Sequence, residues 1–162
     1  MIAGAGGAQF TSKSSSANAT TAIAWRGYHG TTQTSKITAG GDATFAGTVT
    51  VQSRAVGEIE ALTDASTIAV DFSKGNNYSV TLAGNRTLGQ PTNQVAGQSG
   101  SIFVTQDGTG SRTLTYHADW KWAGGTAPTL STAADAVDRI DYIVAETNKI
   151  HAVVTLDVKT GT

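Results

Sequence analysis

Beyond residue 54, hydrophobic and polar positions alternate in short runs that Gly, Asn and Asp interrupt. Ile68, Val70 and Phe72 fall on one face of an extended segment, and Tyr78, Val80 and Leu82 on one face of the next, because side chains alternate along a strand with period two. Ser73-Lys74-Gly75-Asn76-Asn77 lies between them and supplies the Gly and Asn of a tight turn, so the two runs predict a hairpin. Ala83-Gly84-Asn85 makes a further turn before Arg86-Thr87-Leu88, and residues 89–97, with Pro91 and Asn93, read as a loop. Residues 101–106 and 112–116, joined by the Gly-rich run 107–111, predict a second hairpin. Two more strands follow. Ile140, Tyr142 and Val144 alternate in the first, and Ile150, Ala152, Val154, Leu156 and Val158 in the second, with Thr147-Asn148-Lys149 between them. Short strands joined by turns, with hardly a helical period, predict an all-β fold: an antiparallel β-sandwich or jelly-roll-like head over residues 54–162.

Residues 1–53 differ. They are rich in Gly, Ala, Ser and Thr, with few large apolar side chains, too few to offset the entropy of ordering. Ala22-Ile23-Ala24-Trp25 and residues 37–51 nevertheless carry spaced hydrophobes, and in the second Phe45, Gly47, Val49 and Val51 share a face. A strand with one thin apolar stripe is marginal alone, and identical chains can bury such stripes against one another. Residues 1–53 are therefore expected to form an extended fibre-shaft or attachment segment.

Composition narrows the role. Net charge is −1, which lacks the basic footprint of a nucleic-acid-binding protein. No cysteine is present, so disulfides and thiolate metal sites are out. No apolar run approaches the roughly 18 to 20 residues that span a bilayer, and MIAGAGGAQF has neither a basic n-region nor an apolar h-region. Membrane insertion and signal-peptide export are not expected.

Candidate chemistry concentrates in residues 112–137. Trp120-Lys121-Trp122 places two rings on one face of an extended segment, a face that serves either as a core plug or as a binding platform. Tyr116, His117, Asp119 and Trp120 together have the composition of a sugar site, flat aromatic faces with a few orienting polar groups. His29, His117 and His151 lie far apart and form no metal-ligand spacing, so no metal and no cofactor is predicted. Glu58 and Glu60, or Asp138 and Glu146, could approach the separation of a hydrolytic pair. Carboxylates on strand surfaces are more simply solvated, and no enzyme is predicted.

Several segments resemble structural proteins of tailed bacteriophages, of the tail-fibre and virion-appendage kind. These are GQSGSIFVTQDGTGSRTLTY at residues 97–116, WAGGTAPTL at residues 122–130, DRIDY at residues 138–142 and the GDATFAG run within residues 37–51. The resemblance implies a homotrimeric, non-enzymatic tail-fibre component of the virion. Such a chain would contribute to host attachment, contact other virion proteins through residues 1–53 and meet a host-surface glycan through Tyr116, His117, Asp119 and Trp120. In the resembled motif the tryptophan before Gly-Gly sits where a loop folds over the end of a sandwich, which implies Trp122, Gly124, Gly125 and Pro128 as a structural anchor. A capsid-decorating or head-fibre protein and a carbohydrate-binding module are the alternatives.

Overall fold

A computed structural model describes residues 23–29, 31–38 and 43–159, and the chain divides into two units between Ala55 and Val56. In the first unit, β1 (Ile23–His29), β2 (Thr32–Thr38) and β3 (Ala43–Phe45) form an antiparallel sheet in chain order. The single strand expected over residues 37–51 is not continuous. Its N-terminal part belongs to β2, β3 stops at Phe45, and residues 46–51 form no strand. Val49 and Val51 are exposed there. The part of the expected shaft at residues 1–22 lies outside the described residues.

The second unit contains nine strands: β4 (Ile59–Ala61), β5 (Thr67–Ile68), β6 (Asn77–Leu82), β7 (Arg86–Leu88), β8 (Ser99–Gln106), β9 (Leu114–Tyr116), β10 (Trp120–Trp122), β11 (Val137–Glu146) and β12 (Lys149–Thr155). They make a six-stranded sheet in the order β10-β12-β11-β8-β6-β4 and a three-stranded sheet in the order β5-β7-β9. From β4 to β9 the chain alternates between the two sheets, and each strand lies parallel to the strand two earlier. This is a short parallel coil of the solenoid type. Among the described residues of this unit only β8·β11 and β11·β12 are antiparallel, and β10 adds parallel to β12.

The antiparallel pairing expected throughout the head is therefore corrected. β5 and β6 lie in different sheets, as do β8 and β9, so residues 69–76 and 107–113 are crossovers and not hairpin turns. Alternation reports which side chains face the core, and turn composition reports where the chain bends. Neither specifies whether the chain returns to the same sheet or passes to the other. The β11–β12 pair is a true hairpin, with Glu146 opposite Lys149.

The predicted phases do face one core. Ile68, Val70 and Phe72, then Tyr78, Val80 and Leu82, then Ile140, Tyr142 and Val144 are all buried, and both sheets contribute to a single apolar cluster. Each such side chain contributes about 1.5–3 kcal/mol relative to exposure. In β12 the phase holds for Ile150 and Ala152 but fails beyond the strand's end, where Leu156 and Val158 are half exposed.

Two polar residues occupy core-phase positions. Gln106 follows Ile102 and Val104 in β8 and is 2% exposed. Its Nε2 donates to the carbonyls of Arg112 and Ser131, both at 2.9 Å, while its Oε1 accepts from the Arg112 N–H at 2.8 Å. Asp138 precedes Ile140 in phase, and its two carboxylate oxygens accept from the Ser131 and Asp157 N–H groups, each at 2.7 Å. These two side chains seat the long connection between β10 and β11, and Leu130 adds the apolar contact. Gln106→Leu should leave three buried backbone groups unpaired, at a cost of about 2–4 kcal/mol. Chemical denaturation of the full chain, with the midpoint lowered and the slope unchanged, checks it.

Acid stability follows from three carboxylates. The Asn93 amide at 2.7 Å, with the Ser73 hydroxyl and N–H, holds Asp71 down at about 2 from 3.8. Arg86 lowers Asp64 and Arg112 lowers Asp107 through side-chain hydrogen bonds. A carboxylate depressed in the folded state stabilises it above its unfolded pKa, and that stabilisation is lost as pH falls through the folded value. The melting temperature should therefore be insensitive to these groups above about pH 5 and drop between about pH 4 and 2, as calorimetry across that range would show.

Candidate functional site

Three features gather where β10 leaves the core: an aromatic plug, a polar brace and an open groove. Trp120 is the plug. It is 3% exposed, its Nε1 donates to the Gly89 carbonyl at 3.0 Å, and it meets Phe72 and Tyr142 edge-on at ring separations of 6.4 and 6.1 Å. Phe72 in turn stacks on Tyr142 at 4.8 Å. Expected as part of a sugar-stacking surface, the Trp120 ring thus has no face available to a ligand.

Asp119 is buried beside it and acts as the brace. Its carboxylate accepts from the Gln90 amide at 3.1 Å and the Gln94 amide at 3.5 Å, and lies 3.3 Å from His117 Nδ1. Gln90 also donates to Asn148 Oδ1, and Asn148 N–H donates to Gln94 Oε1 at 2.7 Å. These bonds tie the 89–97 loop, the turn before β10 and the tip of the β11–β12 hairpin together. Asp119 is thereby committed to structure, whereas His117 keeps a partly exposed ring.

Trp122, expected as the anchor, is half-buried and sits edge-on against half-buried Tyr116 with ring centroids 4.6 Å apart. Burial pushes the Tyr116 hydroxyl well above the usual phenol range. Gly124 and Gly125 are exposed in the short 3₁₀ turn after β10. A Cβ would meet open space at both, but their φ of 67° and 75° requires glycine for the backbone itself. Pro128 is half-buried. Trp120 is thus the more deeply buried ring, directed under the 89–97 loop, while Trp122 packs against the core from a half-buried position.

The groove was not anticipated. On the outer side of β10, β12 and β11, Lys121, Trp122, Asp141, Ile143, His151 and Val153 line an open cavity of about 560 Å³. The register explains it: Lys121 is beside His151 and His151 is opposite Ile143. Ile143 and Val153 are 48% and 58% exposed. Asp141 is occupied by Arg139 and by the Ser101 hydroxyl at 2.6 Å, and the Lys121 ammonium donates to the Ala118 carbonyl at 2.6 Å. His151, in phase with exposed Val153, is the only sequence-level sign of it.

In this coiled two-sheet core the buried polar side chains Gln106, Asp119 and Asp138 are spent on internal bracing. Residues 67–145 match the family described as "Putative phage tail fibre C-terminal domain". Residues 67–145 accordingly carry a phage tail fibre C-terminal domain, which supports a structural, virion-associated tail component. No curated protein and no solved structure matches the chain.

Proposed function

We propose that this chain forms a homotrimeric tail fibre whose C-terminal unit, residues 56–159, is a head contributing to host attachment, with residues 1–53 joining it to other virion proteins. The observation that carries this reading is the family match over residues 67–145, which covers most of the second unit. Two features support it. Exposed Val49 and Val51 in the first unit, and exposed Ile143 and Val153 in the second, are apolar surfaces that copies of the chain can bury. The internal bracing of Asp119 leaves the loops around β10 rigid, as a recognition end needs to be.

Host contact at a surface glycan is kept in this reading for the exposed parts of His117 and Trp122, without stacking on Trp120. Native mass measurement at micromolar concentration is expected to give three chain masses, and one chain mass contradicts the fibre. Preincubating host cells with the purified chain is expected to slow adsorption of the parent phage. Unchanged adsorption contradicts the attachment role.

A further inference from the structure

From residue 46 to residue 58, where the two units join, the chain forms no strand and every residue is exposed. Among the described residues no backbone hydrogen bond outside the strands involves this stretch. Arg54 is its only Lys or Arg, Ala55 follows, and the boundary between the units falls at the next bond. The other described basic residues are differently placed. Arg26, Lys36, Lys121 and Lys149 lie in strands, and Arg86, Arg112 and Arg139 pair with Asp64, Asp107 and Asp141. Lys74 stands in a tied turn: its N–H donates to the Asp71 carbonyl, and the Gly75 carbonyl accepts from Tyr78 and Gln98. Lys159 is exposed, but a cut after it removes only residues 160–162. Residues 123–127 are exposed as well and hold no Lys or Arg.

We propose that the Arg54–Ala55 peptide bond is a cleavage site for a trypsin-class serine protease. An extended substrate is bound through its own backbone groups, so a stretch whose backbone is unspent is cut directly, whereas a cut within the sheets waits on local opening. The Arg54 guanidinium is the cation that the carboxylate of such a protease's specificity pocket recognises, and among the described residues it has no ion pair to break. Hydrolysis adds water across the bond, the hydroxyl to the Arg54 carbonyl carbon and a proton to the Ala55 nitrogen. Val49 and Val51, which copies of the chain can bury, precede the site, and between Gln52 and Glu58 only Val56 is a large apolar side chain. The product that begins at Ala55 keeps β4 to β12 and the whole core, whose first member is Leu62. Cleavage therefore parts an intact head from residues 1–54, whatever the number of chains in the assembly.

Brief trypsin digestion of the native full chain is expected to give a stable fragment, identified by its mass and by Ala55 as its first residue. It should form at least about tenfold faster than any cut within residues 56–158, because cutting there follows the population of opened forms. Arg54→Gln should abolish the fragment, and Arg54→Lys, which keeps a cation for the pocket, should retain it. Unchanged circular dichroism checks the fold of both variants, and the isolated fragment should keep its near-ultraviolet signal. A first cut within residues 56–158 overturns the proposal, as does the same fragment forming at an unchanged rate from the Arg54→Gln chain. A native chain left whole by trypsin that digests the urea-unfolded chain also overturns it, and so does a fragment that loses its near-ultraviolet signal.

Discussion

Trp120→Ala is expected to destabilise the head by about 3–5 kcal/mol, the range for deleting a buried tryptophan. The substitution empties the space beside the stacked Phe72 and Tyr142 rings and leaves the Gly89 carbonyl without its indole donor. For a unit of about 100 residues, each kcal/mol shifts the melting temperature by roughly 4–8 °C, so a fall of at least about 12 °C should appear in a near-ultraviolet circular dichroism melt of the full chain. Trp122→Ala removes a half-buried ring that packs on the core's edge and against Tyr116 and should cost about 1–2 kcal/mol, since only part of its side-chain area leaves water. The ratio is diagnostic. Equal losses for the two variants would contradict the placement of Trp120 as the core plug.

Gly100→Ala should cost about 3 kcal/mol or more, at the upper end of the cost of overpacking. An added Cβ would overlap the Asn76 carbonyl oxygen and approach the Tyr142 hydroxyl at 3.0 Å. That carbonyl accepts from the Ser101 N–H at 3.1 Å and from the Tyr142 hydroxyl at 2.8 Å, so moving it breaks both bonds. It also disturbs a crossover that Gln98 holds through the carbonyls of Phe72 and Gly75. Gly108→Ala is the control, because a Cβ there meets open space at an ordinary φ. Its melting temperature should stay within a few degrees of the unaltered chain, and a Gly100→Ala melt that overlays it would show that β8 and residues 73–76 are not in contact.

How much of this could be read from the residues depends on the level considered. The phases of Tyr78, Val80 and Leu82, or of Ile140, Tyr142 and Val144, were legible because burial follows period two whatever the neighbouring strand. Pairing was not legible. Gly75 and Asn76 bend the chain equally well into a hairpin or across to the second sheet, and the choice is made by non-local ladders such as Asn77 beside Ser101. The burial of Trp120 was hidden in the same way: Trp120 and Trp122 share a phase, and only the approach of residues 89–97 decides which ring is covered more deeply. Gln106 and Asp138 left a usable signal, a polar side chain at a position where the alternation demands an apolar one. Such a position marks a side chain that satisfies buried backbone. The groove left almost none, because it exists only where β10 lies parallel to β12, about thirty residues further along the chain.

Those non-local ladders also give the family assignment its physical sense. Residues 67–145 run from β5 to near the end of β11, and that span contains the three strands of the smaller sheet and the crossovers that wind them. The winding ties the strands of the two sheets together and leaves apolar side chains such as Ile143 and Val153 exposed on the outside.

The most direct test is electron microscopy of parent virions labelled with gold-conjugated antibody against residues 56–159. The account predicts gold at the outer ends of the tail fibres. Gold distributed over the capsid shell, with the fibres bare, would contradict it.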